Sequence, residues 1–177
     1  NFNNAVTLHG GDAGVDIVNG SNAAFTFSNL NITSSTGTAF NIDNSTITAL
    51  TFGGSITQNN AASAFVANAA TGGIHNISAT ILASTGTANA IAITGSGGTY
   101  NFTGGLDLTT SSGIGFNATG GTITVTGAGN TINTTTGQIL GWDGVSVGAG
   151  GVTFATLAAS GTVANHGISL NDVDGAG

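Results

Sequence analysis

A degenerate repeat of about 25 residues runs through this chain and limits its fold more than any other feature. Each copy opens with a short word rich in alternating apolar residues: GVDI, AFNI, AFVA, AIAI, GIGF, ILGW and GISL. The apolar runs begin at Val15, Phe40, Phe65, Ile91, Ile114, Leu140 and Ile168, at intervals of 25, 25, 26, 23, 26 and 28 residues. Self-similarity at a fixed period of this size indicates stacked structural repeats.

Two further alternating runs follow within the repeat. The second runs are Phe25-x-Phe27, Leu50-x-Phe52, Ile74 to Ile77, Tyr100-x-Phe102, Ile123-x-Val125 and Val152-x-Phe154. The third runs include Leu30-x-Ile32, Leu106-x-Leu108 and the region of Ile132. Short period-2 runs predict strands, and the Gly-, Ser- and Asn-rich words between them predict turns. The word STGTA, at 35–39 and 84–88, is expected at equivalent corners just before a new coil.

Three strands per repeat predict an all-β fold, a parallel β-helix of about seven three-sided coils that forms one domain over residues 1–177. A β-sandwich also spaces its strands by about 8 to 12 residues, but it has no reason to repeat its pattern at every third strand. The chain contains no Pro, which would interrupt such ladders. The predicted inner wall consists of Val15, Ile17, Phe40, Ile42, Phe65, Ile91, Ile93, Ile114, Phe116, Leu140, Trp142, Ile168 and Leu170.

The two ends of the sequence show no capping pattern. NFNNAVTLHGG begins as another alternating strand, and GISLNDVDGAG stops shortly after a new coil has started. Solenoids usually close with a helix or a polar terminal repeat, because an open coil exposes unpaired strand edges. We therefore expect the solenoid to be uncapped at both ends and to continue into adjoining coils or stack on copies of itself.

Composition removes several classes of function. The chain has no Lys, Arg or Glu, and its seven Asp give a formal net charge of -7. This charge opposes binding to nucleic acid and to anionic lipid. Hydrophobic residues make up 40% of the chain, which is enough to build a continuous core. No run reaches the roughly 18 apolar residues that a membrane-spanning helix needs, so membrane insertion by this segment is not expected.

Few titratable residues offer catalytic or metal chemistry. Asp172 and Asp174 are the two carboxylates closest to each other in sequence, and they lack the further oxygen ligands of a Ca²⁺ loop, so an Asp-Gly turn is the preferred interpretation. His9, His75 and His166 lie far apart, and ordinary loop histidines are commoner than metal ligands. The other acidic residues are expected to face outward and aid solubility: Asp12, Asp16, Asp43, Asp107 and Asp143. We predict no enzyme activity, no cofactor and no metal.

One outward row suggests a binding face on the second strands. If these strands stack in register, the central outward residues are Thr26, Thr51, Asn101, Thr124 and Thr153. A flat threonine array binds ice in some β-solenoids, but the flanking positions here are irregular, and a plain strand-favouring role is preferred. Trp142 is expected in the core rather than against a sugar ring. Glycosylation is left open at the sequons of Asn31, Asn44, Asn76, Asn101, Asn117 and Asn133.

The stretches NFTGGLDLTTSSGIGFNATGGTITVTGAGNTINTTTGQIL and GVTFATLAASGTVANHGISLNDVDGAG resemble known repeats. They are similar to the right-handed β-helix segments of very large bacterial surface proteins, the autotransporter and filamentous-haemagglutinin-like adhesins. The resemblance is clearest from Tyr100 to Gly177. It implies a stiff stalk or fibre segment at the bacterial cell surface, with no active-site residue to transfer.

We therefore expect an extracellular structural segment. The alternative is a passenger domain that binds glycans or ice through the threonine-bearing face. A polysaccharide-cleaving β-helix enzyme is a third candidate.

Overall fold

A computed structural model describes residues 1–12 and 14–175 of the chain. These residues form β-strands and no helix. In chain order the strands are β1 (Phe2–His9), β2 (Val15–Val18), β3 (Ala24–Thr33), β4 (Phe40–Asp43), β5 (Ala49–Gln58), β6 (Phe65–Asn68), β7 (Ile74–Ile77), β8 (Thr80–Ser84), β9 (Ile91–Thr94), β10 (Thr99–Phe102), β11 (Leu106–Thr110), β12 (Phe116–Thr119), β13 (Thr122–Val125), β14 (Thr131–Thr134), β15 (Leu140–Asp143), β16 (Ser146–Val152), β17 (Thr156–Ala159), β18 (Ile168–Asn171) and β19 (Asp174–Gly175).

The strands stack into a parallel β-solenoid with three sides, which confirms the predicted fold class. Side 1 is a seven-stranded sheet in the order β18-β15-β12-β9-β6-β4-β2. Side 2 contains β7, β10, β13, β16 and β19, and side 3 contains β8, β11, β14 and β17. The ten-residue strands β3 and β5 run across sides 2 and 3 and join them into one 12-stranded sheet. The bend in β3 coincides with a register shift between Phe27 and Leu30.

Side 1 carries most of the predicted inner wall. Its first inward column stacks Val15, Phe40, Phe65, Ile91, Phe116, Leu140 and Ile168. Its second stacks Ile17, Ile42, Ala67, Ile93, Ala118, Trp142 and Leu170. Trp142 is buried and packs edge-on against Phe116, with ring centroids 5.4 Å apart. The core position predicted for the indole is confirmed.

The predicted register of the fifth coil is wrong by two residues. Phe116, not Ile114, pairs with Ile91 on one side and with Leu140 on the other. Ile114 lies in the preceding corner and is only partly buried. The reason is Gly115, where an added Cβ would lie 2.2 Å from the Ile132 side chain. Such a tight corner needs a small residue immediately before the strand, as Ala64 and Ala90 provide in their own coils.

Side chains of the inner wall are less covered in the first and last described coils. Val15 is half-buried, whereas Ile168 and Leu170 are 44% and 57% exposed. At the other end Phe2 is 50% exposed, although its ring stacks on Phe27 at 4.9 Å between centroids. These four side chains have an apolar neighbour in only one of the two axial directions.

The corner that follows side 1 repeats one backbone conformation in every coil. Its first residue has a positive φ, between 47° and 81°, and is in turn Asn19, Asn44, Ala69, Gly95, Gly120, Gly144 and Asp172. Gly and Asn adopt this left-handed conformation at least cost, which explains why the turn words are rich in both. Ala69 has neither the missing Cβ of Gly nor the side-chain oxygen of Asn and Asp.

The corner between sides 3 and 1 is held by threonine hydroxyls in three coils. Thr85 donates to the carbonyl of Ala88, Thr110 to that of Gly113 and Thr134 to that of Gly137, at 2.6–2.8 Å. All three threonines are buried.

Both STGTA words lie at this corner, but they are not equivalent residue by residue. Ala39 directly precedes Phe40 of side 1, whereas two residues separate Ala88 from Ile91. Ser35 is buried, while Ser84 is exposed. The same five letters therefore form two different turns.

Candidate functional site

The outer surface of side 2 contains most of the predicted threonine row. Ladder pairing aligns Thr26, Thr51, Asn76, Asn101 and Thr124 one above another. Asn76 also belongs to this row, although the sequence prediction did not include it. Ile74 and Ile77 lie on opposite faces of a regular strand, so alternation alone did not show which residues of β7 point inward. The amide of Asn101 donates to Oδ1 of Asn76 over 2.9 Å, so the third and fourth positions of the row are linked to each other.

A bulge in β16 interrupts the row at its fifth position. Ile123 pairs with Val147 but Val125 pairs with Val152, so the intervening residues of β16 loop over β13. A Cβ added at Gly148 would lie 2.3 Å from Oγ1 of Thr124. Thr124 is consequently 8% exposed and cannot belong to an open contact surface.

The predicted register of Thr153 is also wrong. Its amide donates to the carbonyl of Val125 at 2.9 Å, which places it after the pair formed by Val125 and Val152. Thr153 therefore follows the neighbouring row, whose residues make the same backbone contact one coil apart: Ser78, Thr103, Thr126 and Thr153. The extra residues of the bulge account for this shift.

The row on the other side of the central one changes character along the axis. It runs Ala24, Ala49, Ile74, Thr99, Thr122 and Ser146. Ile74 is 54% exposed. Neither flanking row is uniformly threonine, and the central row is covered at Thr124. The outer surface of side 2 is therefore not a regular array of threonines.

Asp side chains on the outside accept hydrogen bonds from the next coil. Asn41 donates to Asp16 at 2.9 Å, Asn68 to Asp43 at 2.7 Å and Asn171 to Asp143 at 2.6 Å, all on side 1. On side 3, Thr131 donates to Asp107 at 2.8 Å. Each acceptor lies in register with its donor, so these outward acids tie successive coils together as well as facing water.

The titratable residues are dispersed. His9 and His166 are exposed, His75 is buried, and no group of three His, Cys, Asp or Glu residues within 1–12 and 14–175 could hold a metal ion. Asp172 occupies the positive-φ corner, whereas Asp174 begins β19 in register with Ser146. Both carboxylates are exposed.

One polar cluster lies inside the solenoid, and the sequence prediction did not place its histidine there. His75 of β7 and Tyr100 of β10 pair in register, with ring centroids 4.6 Å apart, ring planes tilted by 38° and both side chains fully buried. The Tyr100 hydroxyl bonds to Ser96, whose own hydroxyl donates to the carbonyl of Ala70. The signal was present in the pattern, because Leu50 and Tyr100, two residues before Phe52 and Phe102, both point inward.

Burial governs the ionisation of this cluster. It lowers the pKa of the His75 imidazole below its usual 6.5, against a smaller opposing effect of the Gly72 carbonyl. It raises the pKa of the Tyr100 hydroxyl above 10.0, against the opposing hydrogen bond to Ser96. Nε2 of His75 lies 3.2 Å from the Gly72 carbonyl oxygen, whereas Nδ1 is buried without a partner. The cluster lies inside the closed core, so its buried groups do not line an open substrate site.

Comparison with protein-family models, with curated proteins and with solved structures finds no match to this chain. In the part that the structure describes, no helix is long and apolar enough to span a membrane.

Proposed function

We propose that this chain is a structural segment of an extracellular fibre or adhesin at a bacterial cell surface, extended by the stacking of coil on coil. The observation that carries the proposal is the continuity of the inner columns. Apolar side chains and parallel ladders run from the first described coil to the last, where Ile168 and Leu170 continue the inward columns and are exposed. The next coil, in a continuing chain or in a second copy, extends the same columns.

The polarity of the ladders favours head-to-tail stacking. When the last coil of one copy meets the first coil of the next, all three sides pair in the same direction as the coils inside each copy. Two like ends would be related by a two-fold axis, so the strands of the two end coils would run in opposite directions. At most one of the three sides would then face its own counterpart. Head-to-tail contact repeats without closing, so its product is a filament.

The composition supports a role outside the cell, and it supports stacking that does not depend on ion pairs. The chain offers no Lys or Arg to trypsin-like proteases. With no cation on the chain, stacking relies on backbone hydrogen bonds and apolar burial, and both persist when salt screens charge. The resemblance to repeats of bacterial surface proteins points to the same location.

The test is to place a charge on the open inner wall. Ile168→Asp puts a carboxylate into the column that the next coil must cover, and we expect it to reduce self-association at least tenfold. Ser169→Asp is the matched control, since Ser169 lies beside Ile168 on β18 but faces outward in register with Gly141. Sedimentation velocity from low to high protein concentration, at 0.1 M and 1 M NaCl, measures the effect, and electron microscopy shows the form of the assemblies.

Filaments that survive 1 M NaCl in the unaltered chain and in the Ser169 variant, and are lost in the Ile168 variant, support the proposal. A chain that sediments as a monomer at every concentration contradicts stacking between copies. Equal assembly by both variants contradicts the end-to-end geometry.

A further inference from the structure

We propose that His75 makes the solenoid acid-sensitive, so that protonation of its imidazole opens the step between β7 and β10. The step lies in the interior of the stack, with strands of side 2 on both sides of it. This property is independent of the proposed fibre role, because it concerns coils within one chain rather than contacts between ends.

The geometry gives the added proton an unfavourable position. Nε2 faces the Gly72 carbonyl and therefore carries the hydrogen of the neutral ring, assigned from that partner. A second proton from solvent must bind Nδ1, which is buried and has no acceptor. The resulting imidazolium would hold an unsatisfied N–H group as well as a full charge inside the core, and both are costly.

The surroundings contain no charge that would compensate. In register below His75 is Leu50 of β5, and above it is Tyr100 of β10, a titratable group that stays neutral in this range. The inner residues that β6, β8 and β9 contribute to these coils are uncharged: Phe65, Ala67, Ile81, Ala83, Ile91 and Ile93. No carboxylate contributes to the ionisation of His75.

The ring also has little room to move toward water. A Cβ added at Gly98 would lie 2.8 Å from Nε2, and one added at Gly73 would lie 3.2 Å from Cε1. The two glycines therefore bring the backbone close to the imidazole on the corner side. Solvating the charged ring requires this corner and the β7–β10 ladder to separate.

The direction of the pH effect follows from linkage. The folded chain holds His75 neutral below the pH at which an unfolded histidine, with a pKa of about 6.5, is protonated. Stability from this site is complete above that pH and is lost as the pH falls below it. Because the unfolded state binds one more proton, the unfolding constant is expected to rise up to about tenfold per pH unit there.

The experiment follows unfolding by urea between pH 7.5 and pH 5, above the range in which free carboxyl groups of about pKa 4 are protonated. The unaltered chain should lose stability across this range, and His75→Leu should remove most of the loss. His9→Gln and His166→Gln are the matched controls, since both rings are exposed, and they should retain it. An unchanged acid response in His75→Leu overturns the proposal.

A second measurement uses the unaltered chain and does not depend on the folding of any variant. Nitrogen-15 NMR of the imidazole should show His75 still neutral just below pH 6.5, the usual pKa of a histidine. Backbone amide exchange in β7 and β10, corrected for the intrinsic rate, should report more frequent opening at pH 5 than at pH 7, with β13 and β14 less affected. A His75 ring that titrates at or above pH 6.5 in the folded chain, or equal opening at both pH values, overturns the proposal.

Discussion

Single residues decide how each coil turns. The column of positive-φ residues after side 1 contains Asn, Asp or Gly in six coils, and Ala69 in the other, with φ of 47°. An alanine has no side-chain oxygen to bond locally, and its Cβ crowds the carbonyl in this conformation, at a cost of about 1–2 kcal/mol. Its place in the column shows that register with its neighbours can override a local preference.

Replacing Ala69 with Gly should therefore stabilise the chain. Relief of the strain of about 1–2 kcal/mol outweighs the extra entropy of glycine in the unfolded state, about 0.5–1 kcal/mol, so we expect a net gain of about 0.5–1 kcal/mol. Urea denaturation at pH 7.5 measures the change. Ala61→Gly is the control, because Ala61 is also exposed but lacks a positive φ, and it should not gain stability. A loss of equal size in both variants would rule out strain at Ala69.

At the scale of the element, the buried threonines of side 3 fix the corner that leads to the next coil. Thr110 donates to Gly113 over 2.6 Å from a site that is 2% exposed. Thr110→Val keeps the shape but leaves the carbonyl without this donor, and we expect a loss of about 1–2 kcal/mol. Thr109→Val, on the exposed face of the same strand, should stay within about 0.5 kcal/mol of the unaltered chain. Chemical denaturation of the pair measures both, and equal losses would show that the Gly113 contact contributes nothing.

The strands also show which features of the fold the sequence alone can predict. Alternation and the 25-residue period were sufficient to predict parallel strands, three sides and most of the inner wall. They did not resolve the two-residue choice between Ile114 and Phe116, because both lie in the same alternating phase. That choice depends on the tight approach of Gly115 to Ile132, in the third strand of the same coil.

The outward row on side 2 was predicted less well than the fold for a related reason. The bulge of β16 is encoded in VGAGGV, but glycines give no sign of which partner residue they will oppose. Thr124 and Thr153 were therefore placed in one row, although the bulge covers the first and displaces the second. A period read from apolar residues locates the inward side chains better than the outward ones.

At the scale of the whole molecule, each coil is stabilised by its own core contacts and by the coils directly above and below it. Aromatic contacts link adjacent coils, as between Phe40 and Phe65 at 5.7 Å, and also cross the core within one coil, as between Phe40 and Phe52 at 4.8 Å. Contacts that link only adjacent repeats make stability the sum of many similar local steps. One weak step, such as the coil that contains His75, can then open while distant coils stay folded.

The ladders of backbone hydrogen bonds between coils lie along the solenoid axis, so tension applied to the two ends acts on them one coil at a time. A coil contributes about 4.8 Å of axial length while folded. Its roughly 25 residues, exemplified by the pairing of Phe40 with Phe65, span about 85 Å when drawn out at about 3.4 Å per residue. The segment should thus behave as an extensible tether that peels in steps and absorbs mechanical work. Single-molecule pulling should show successive increments of about 80 Å in contour length, and one rupture that releases the whole chain would contradict this behaviour.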